Sequence, residues 1–271
     1  MEEIELKEDE YLKDGLSYCK NCHTPRGMLW DGRIVHFNCR CRQEQQEREE
    51  AQMLLAERRR KIEEYRRNSE LGKYFAHCTF ENARPTKLNH TVYRVCRRYC
   101  EKAEEMLFGG YGIYIYGAPG VGKTHLIACM GNALTDKLYL VLFTSFVKLE
   151  GALNANFGNN TAQAQLLQAT EDAAFLFLDD LGTENIKEGS STWLQSVIFD
   201  VINRRYNAKK PIICTSNYAF SDLIERTNYE PRTVHRLKEI CSYYTQLDCE
   251  IMRDSVAEQK RKNMMKLLGG N

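Results

Sequence analysis

Residues 117–124 read Gly117-Ala118-Pro119-Gly120-Val121-Gly122-Lys123-Thr124, the G-x-x-x-x-G-K-[ST] spacing of a phosphate-binding loop. Its surroundings narrow the fold. Before it, Gly112-Ile113-Tyr114-Ile115-Tyr116 is β-branched and aromatic and reads as a strand. After it, His125-Leu126-Ile127-Ala128-Cys129-Met130 is apolar and reads as a buried helix. In the order strand, glycine loop, helix, successive backbone N–H groups can face a polyphosphate at a positively polarised helix N-terminus. Lys123 is expected to reach the β- and γ-phosphates and the Thr124 hydroxyl to bind Mg²⁺, so the site expected here takes ATP or GTP.

Further strands are read at Leu138–Phe143, Phe175–Leu178, Ile212–Thr215 and Tyr244–Leu247. Helices are read at Thr124–Thr135, in two pieces within Phe146–Ala169, and at Thr192–Tyr206. Strands alternating with helices predict an α/β fold, a three-layer parallel sheet with helices on both faces. Phe175-Leu-Phe-Leu-Asp179-Asp180 is an apolar strand ending in two acids, at the sheet edge where ligands sit in such folds. Asp179 is expected in the Mg²⁺ shell and Asp180 as the general base on the attacking water. The strand at 212–215 runs into Ser216-Asn217, whose amide can orient that water or sense the γ-phosphate.

Ahead of this domain stand Cys19-Lys-Asn-Cys22 and Cys39-Arg-Cys41, four of the chain's eleven cysteines. A C-x-x-C pair with a C-x-C pair can close the tetrahedral thiolate site that Zn²⁺ prefers. Thr24-Pro25-Arg26-Gly27 and Asp31-Gly32-Arg33 read as turns flanking short strands at Met28–Trp30 and Ile34–Phe37, the layout of a zinc ribbon. His23 and His36 are substitute ligands if one cysteine is not used. From Arg42 to Asn68 the sequence is charged and free of Gly and Pro, and predicts a helix about 40 Å long. Its sparse apolar residues suit either a solvated spacer or a partner-binding helix. The expected division is a zinc-binding segment at 1–41, a charged helical linker at 42–70 and a nucleotide domain at 71–271.

A net charge of +1 over 271 residues gives no global field for nucleic acid, so any DNA contact is local. No apolar run approaches the ~20 residues of a membrane span. The acidic start Met1-Glu2-Glu3-Ile4-Glu5 is the opposite of a signal peptide, so a cytoplasmic chain with reduced cysteines is expected.

Gly117–Leu126, Phe-Leu-Phe-Leu-Asp-Asp-Leu-Gly182 and Ile-Ile-Cys-Thr-Ser-Asn217 together resemble the AAA+ ATPases of the DnaC/DnaI type, replicative helicase loaders, and their relative IstB, a transposition helper. Tyr74-Phe75-Ala-His-Cys-Thr79-Phe80-Glu81-Asn82 resembles the lead-in these proteins carry. Asn203-Arg-Arg-Tyr206 with Lys209-Lys-Pro211 also fits, and the cysteine segment resembles the zinc-bearing helicase-binding domain of the DnaI type. The likeness is strongest over 74–253. It implies an ASCE-type P-loop core and ATP as the nucleotide, cradled by residues 117–124 and His125. It also implies a sensor-1 role for Asn217, a trans-acting arginine finger in Arg232 with Arg236 beside it, and a sensor-2 role for Arg253. A full helical lid after Arg253 is not expected. Implied partners are a replicative helicase, single-stranded DNA and further copies of the chain. The family's DNA contacts fall on the 146–169 insertion, which here is poor in basic residues. Related ATPases often carry Glu where this chain has Asp180, so slow, partner-stimulated hydrolysis is expected. Against these stand a small-molecule P-loop kinase, for which no arginine-rich lid is visible, and a zinc-dependent DNA-binding module with a degenerate ATPase, which the intact Lys123, Thr124 and Asp179 oppose.

Overall fold

A computed structural model describes residues 6–30, 33–69, 71, 75–184, 192–227, 229–248 and 252–268. Tyr74, the Asp31-Gly32 turn, Ile251 and the side chain of Arg253 lie outside the described residues. The chain divides into two compact units, residues 1–60 and 61–271.

The first unit is a four-stranded antiparallel sheet in the order β1 (Glu10–Lys13), β2 (Leu16–Cys19), β3 (Pro25–Trp30), β4 (Arg33–His36). Asp14 and Gly15, with φ of 51° and 76°, make the two-residue hairpin turn between the first pair. Two successive positive φ angles give that turn the twist of its flanking strands. The reading of 24–27 as a turn is corrected: Pro25–Gly27 belong to β3, and Gly27 pairs with His36. The pairing loses register between Ser17 and Tyr18, which accommodates a proline in a strand. The charged helix α1 runs Arg40–Asn68, and Met53 and Leu54 on it are exposed.

The second unit is built on a five-stranded sheet, every pair of it parallel, ordered β6 (Val141–Thr144), β7 (Phe175–Leu181), β8 (Ile212–Ser216), β5 (Ile113–Tyr116), β9 (Tyr243–Gln246). Both faces of the central strands are covered, so both sets of their alternating side chains are mostly apolar. On one face Ile113, Ile115, Phe143, Phe175 and Phe177 pack with Leu126, Ile127 and Met130 of α4 (Lys123–Asp136) and Tyr93 and Cys96 of α2 (His90–Glu101). On the other, Tyr114, Leu176, Leu178 and Cys214 pack with Ile198, Val201 and Ile202 of α7 (Thr192–Asn207) and Leu237 of α9 (Pro231–Ile240). The expected insertion is a helix pair, α5 (Phe146–Ala155) and α6 (Asn160–Asp172). Ser145 and Asn159 cap them with side-chain oxygens that accept the N–H of Lys148 and Ala162. The short α3 (Ala103–Gly109) follows α2, α8 (Phe220–Thr227) precedes α9, and α10 (Met252–Leu267) follows β9. Among the described residues no helix is long and apolar enough to cross a membrane.

The strand order positions the site. β8 lies between β5, which feeds the glycine loop, and β7, which carries the two acids. The C-terminal end of β8 therefore faces both.

Candidate nucleotide-binding site and cysteine cluster

The loop leaves β5 through Gly117 at φ 153°, and a Cβ there would meet the Leu247 carbonyl oxygen at 2.5 Å. Gly120 and Gly122, at φ 86° and 93°, hold the left-handed conformation that side chains resist, turning the loop back onto the start of α4. Lys123 is only 5% exposed. Its ammonium donates to the carbonyls of Gly117 at 2.9 Å and Ala118 at 3.0 Å and to Asn217 Oδ1 at 2.8 Å. The lysine is thus held over the loop it serves, and Asn217 touches it directly.

The acids are tied together by a residue that sequence reading missed. Asp179 Oδ1 accepts from Thr124 Oγ1 at 3.0 Å and from Thr215 Oγ1 at 2.6 Å. Thr215 Oγ1 in turn accepts the backbone N–H of Asp180 at 2.9 Å. Pairing of β7 with β8 shifts between Leu178 and Leu181, and Asp180 adopts φ 55°, a left-handed conformation in which Asp is enriched among non-glycine residues. The bulge leaves Asp179 half-buried against Thr124 and Asp180 exposed.

These groups open onto one cavity of about 1020 Å³, lined by Pro119, Gly120, Gly122, Lys123, Thr124 and His125 of the loop and helix, by Asp179, Asp180 and Asn217, and by Phe75, Asn82, Arg84, Tyr93 and Lys260. Val121 instead joins the core. His125 Nδ1 lies 3.3 Å from the Tyr93 hydroxyl, and burial, aided by His77, holds its pKa below the usual 6.5. Lys260, on α10, carries no local motif that would announce it. Arg232 and Arg236 do not line the cavity. Arg232 is exposed, paired with Glu230, its guanidinium 4.2 Å over the Phe199 ring, and Arg236 lies over Phe199 and Tyr206.

In the first unit, Cys19, Cys22, Cys39 and Cys41 bring their sulfurs within 4.8 Å of one another, with Cys19–Cys41 at 3.6 Å and Cys39–Cys41 at 3.4 Å. A tetrahedron of thiolates about 2.3 Å from Zn²⁺ has edges of about 3.8 Å, so the sulfurs are spaced to fit that ion. The Thr24 hydroxyl, then the backbone N–H groups of Cys41 and Thr24, hold the Cys22 thiol down to about 5. Hydrogen bonding to Cys39 first, then Cys22 and Cys19, pushes Cys41 up to about 12. Ionised together, four thiolates at this spacing would repel one another, and a divalent cation would offset that repulsion. The histidines are engaged elsewhere, His23 with the Tyr11 hydroxyl and His36 beside Glu10.

A profile of the IstB-like ATP binding protein family matches residues 50–227, well over half the chain. The chain belongs to this family. Among curated relatives of this IstB-like chain, the replicative helicase loader DnaI of Bacillus subtilis is 28% identical over 124 residues, 45% of this chain and 38% of that protein. An insertion sequence IS21 putative ATP-binding protein of Pseudomonas aeruginosa is 36% identical over 110 residues, 41% of this chain and 39% of that protein. The chain thus matches about two fifths of the length of each. A crystal structure of the DnaC helicase loader superposes with TM-score 0.54 at 24% identity, covering 65% of this chain and 99% of that one. The IstB-like core therefore has the AAA+ P-loop fold. The family profile begins at residue 50, beyond the four cysteines.

Proposed function

We propose that this IstB-like chain is an ATP-hydrolysing loader that delivers a hexameric replicative helicase to single-stranded DNA. The observation that carries the ATP-hydrolysing part of the reading is the cavity onto which Lys123, Thr124, Asp179, Asp180 and Asn217 open. Mg²⁺ held between Thr124 and Asp179, oxygen donors of the kind a hard cation takes, would neutralise charge on the phosphate oxygens. Lys123 exchanges its loop carbonyls for the β- and γ-phosphates, a point charge moving a short way. Asp180, exposed at the cavity wall, accepts the proton of the attacking water. Asn217 reports the phosphate state to Lys123 through their direct contact.

Arg232, exposed and outside its own cavity, acts on the nucleotide of a neighbouring copy, with Arg236 packed behind it on the shared Phe199 ring. Arg253 has the sensor-2 role that the resemblance assigns. Zn²⁺ on Cys19, Cys22, Cys39 and Cys41 is structural, because four thiolates leave no open position, and the unit it holds, with the charged helix, receives the helicase. The DnaI and DnaC likenesses support a helicase as partner. The IS21 relative supports a second reading, a transposase as partner, on the same engine.

Retention of a purified replicative helicase by the whole chain, with and without ATP, tests the partner. No retention in either condition overturns the loader reading. For the chemistry, Lys123→Ala should abolish ATP binding, whereas Asp180→Asn should keep binding and lose turnover. Equal turnover in Asp180→Asn and wild type would remove Asp180 from its role.

A further inference from the structure

The turn that follows the two acids is fastened to the helix that carries Arg232. Asp180 and Gly182 both have positive φ, 55° and 90°. The Asp180 carbonyl accepts the Thr183 hydroxyl at 2.8 Å. Glu184, only 7% exposed, folds back so that its Oε2 accepts the Gly182 N–H at 2.8 Å. The same oxygen accepts the Tyr229 hydroxyl at 2.9 Å. Tyr229 is 5% exposed and stands two residues before Pro231, the first residue of α9. Arg232 follows at once, stacked on Phe199. Among the described residues, the buried Glu184 Oε1 has no hydrogen-bond partner. A carboxyl removed from water is costly even with hydrogen-bond donors beside it, and closing a turn does not require one. What the arrangement adds is a polar link across two segments, residues 180–184 and 229–232.

We propose that Glu184 and Tyr229 are positioning residues that couple the Asp180 turn of one subunit to the Arg232 that the same subunit offers to its neighbour. The proposal rests on the reading above, in which Asp180 acts in its own cavity and Arg232 in the next. One link thus holds both the pose of the arginine presented to the adjacent cavity and the pose of the Asp180 turn in its own, so its loss is felt at either end.

The test uses mixed full-length chains. Lys123→Ala supplies an intact arginine and a dead cavity, and Arg232→Ala supplies an intact cavity without its arginine, so turnover in the mixture comes from composite sites. Tyr229→Phe keeps the ring and removes only the link. It is introduced first into the arginine donor and then into the cavity donor. Loss of one hydrogen bond to a carboxyl should lower kcat about tenfold in each placement, with ATP affinity unchanged in the cavity donor. Glu184→Gln, which keeps an acceptor oxygen, should retain most of the turnover in both. A loss confined to one placement, or none in either, overturns the coupling while leaving the composite site intact. Absence of turnover in the mixture without Tyr229→Phe overturns the composite site and the coupling with it.

Discussion

Replacing Thr215 by valine isolates the hydroxyl that joins the two acids. Thr215 is fully buried, donates to Asp179 and accepts from the Asp180 N–H. The valine has nearly the same volume, so no cavity opens. The hydrogen bond to the carboxylate contributes about 1.5–3 kcal/mol, and the Asp180 N–H left without its acceptor costs about 1–3 kcal/mol. Valine's extra apolar burial returns up to about 1 kcal/mol. A net loss of about 3 kcal/mol follows, which in a unit of this size lowers Tm by about 6–12 °C. Thr215→Ser keeps the hydroxyl and gives up one buried methyl, a loss of about 1 kcal/mol. Urea unfolding followed by circular dichroism should therefore rank wild type above Thr215→Ser and Thr215→Val last. Apolar burial alone would put valine above serine. A valine variant as stable as the serine variant would refute the argument that this hydroxyl holds the acids in place.

Other outcomes follow from the same geometry. Chelation of metal from the whole chain should unfold the cysteine unit and leave ATP affinity unchanged, and protein purified without chelator should hold one zinc per chain by elemental analysis. Arg205, fully buried, donates to the carbonyls of Thr170 at 3.0 Å, Ala173 at 2.7 Å, Ala174 at 3.1 Å and Pro211 at 2.5 Å. Arg205→Lys cannot satisfy that fork and should lose about 3–5 kcal/mol in chemical denaturation. Burial holds Glu184 above the usual 4.5, aided by Asp180 and opposed by its hydrogen bonds. The folded state then keeps a proton that the unfolded chain releases, so this group's contribution to stability is greatest below 4.5 and falls as pH rises through the raised value. Denaturation of Glu184→Gln across that range should lack this slope. Lys260→Ala should weaken ATP binding several-fold by removing a cation from the cavity wall, read by titration with a fluorescent ATP analogue.

The sheet is legible chiefly in its central strands β5, β7 and β8, short runs buried on both faces and each followed by a helix, whereas the edge strand β9 alternates half-buried and exposed residues. Ile113–Tyr116 coincides with β5, and the reading at 175–178 falls short of β7 by three residues. The shortfall has a physical cause: the strand continues through two acids by bulging, and apolarity does not mark a bulge. The reading at 138–143 began three residues early, because Leu138 and Tyr139 are as apolar as a strand although Leu138 sits at φ 63°. Helices α2, α8 and α9 bury narrow stripes among charged residues, with Tyr93 and Cys96, Leu223, and Val234 and Leu237 facing inward. In the first unit the Asp14-Gly15 dipeptide is itself a hairpin-turn signal, and both residues take the positive φ that such a turn needs.

The site divides along a similar line. Candidate residues marked by local spacing are legible, and the structure brings the loop, the acids and the amide to one cavity and the four cysteine sulfurs within 4.8 Å of one another. Residues that join them only because the fold brings them from elsewhere are not. Thr215 is an ordinary strand threonine until β8 is inserted between β5 and β7, whereupon its hydroxyl has a carboxylate on one side and a strained N–H on the other. Glu184 and Tyr229 stand 45 residues apart in sequence and meet only because the bulge turns the chain toward the start of α9. The order of the strands is therefore itself part of the site. It gives the end of one central strand two neighbours, with Asn217 bonded to Lys123 of the glycine loop on one side and Thr215 bonded to Asp179 on the other. On the acid side, Thr124, Asp179, Thr215 and the Asp180 N–H form one continuous chain of 2.6–3.0 Å hydrogen bonds, so the start of α4 and the turn after β7 are held by the same strand end.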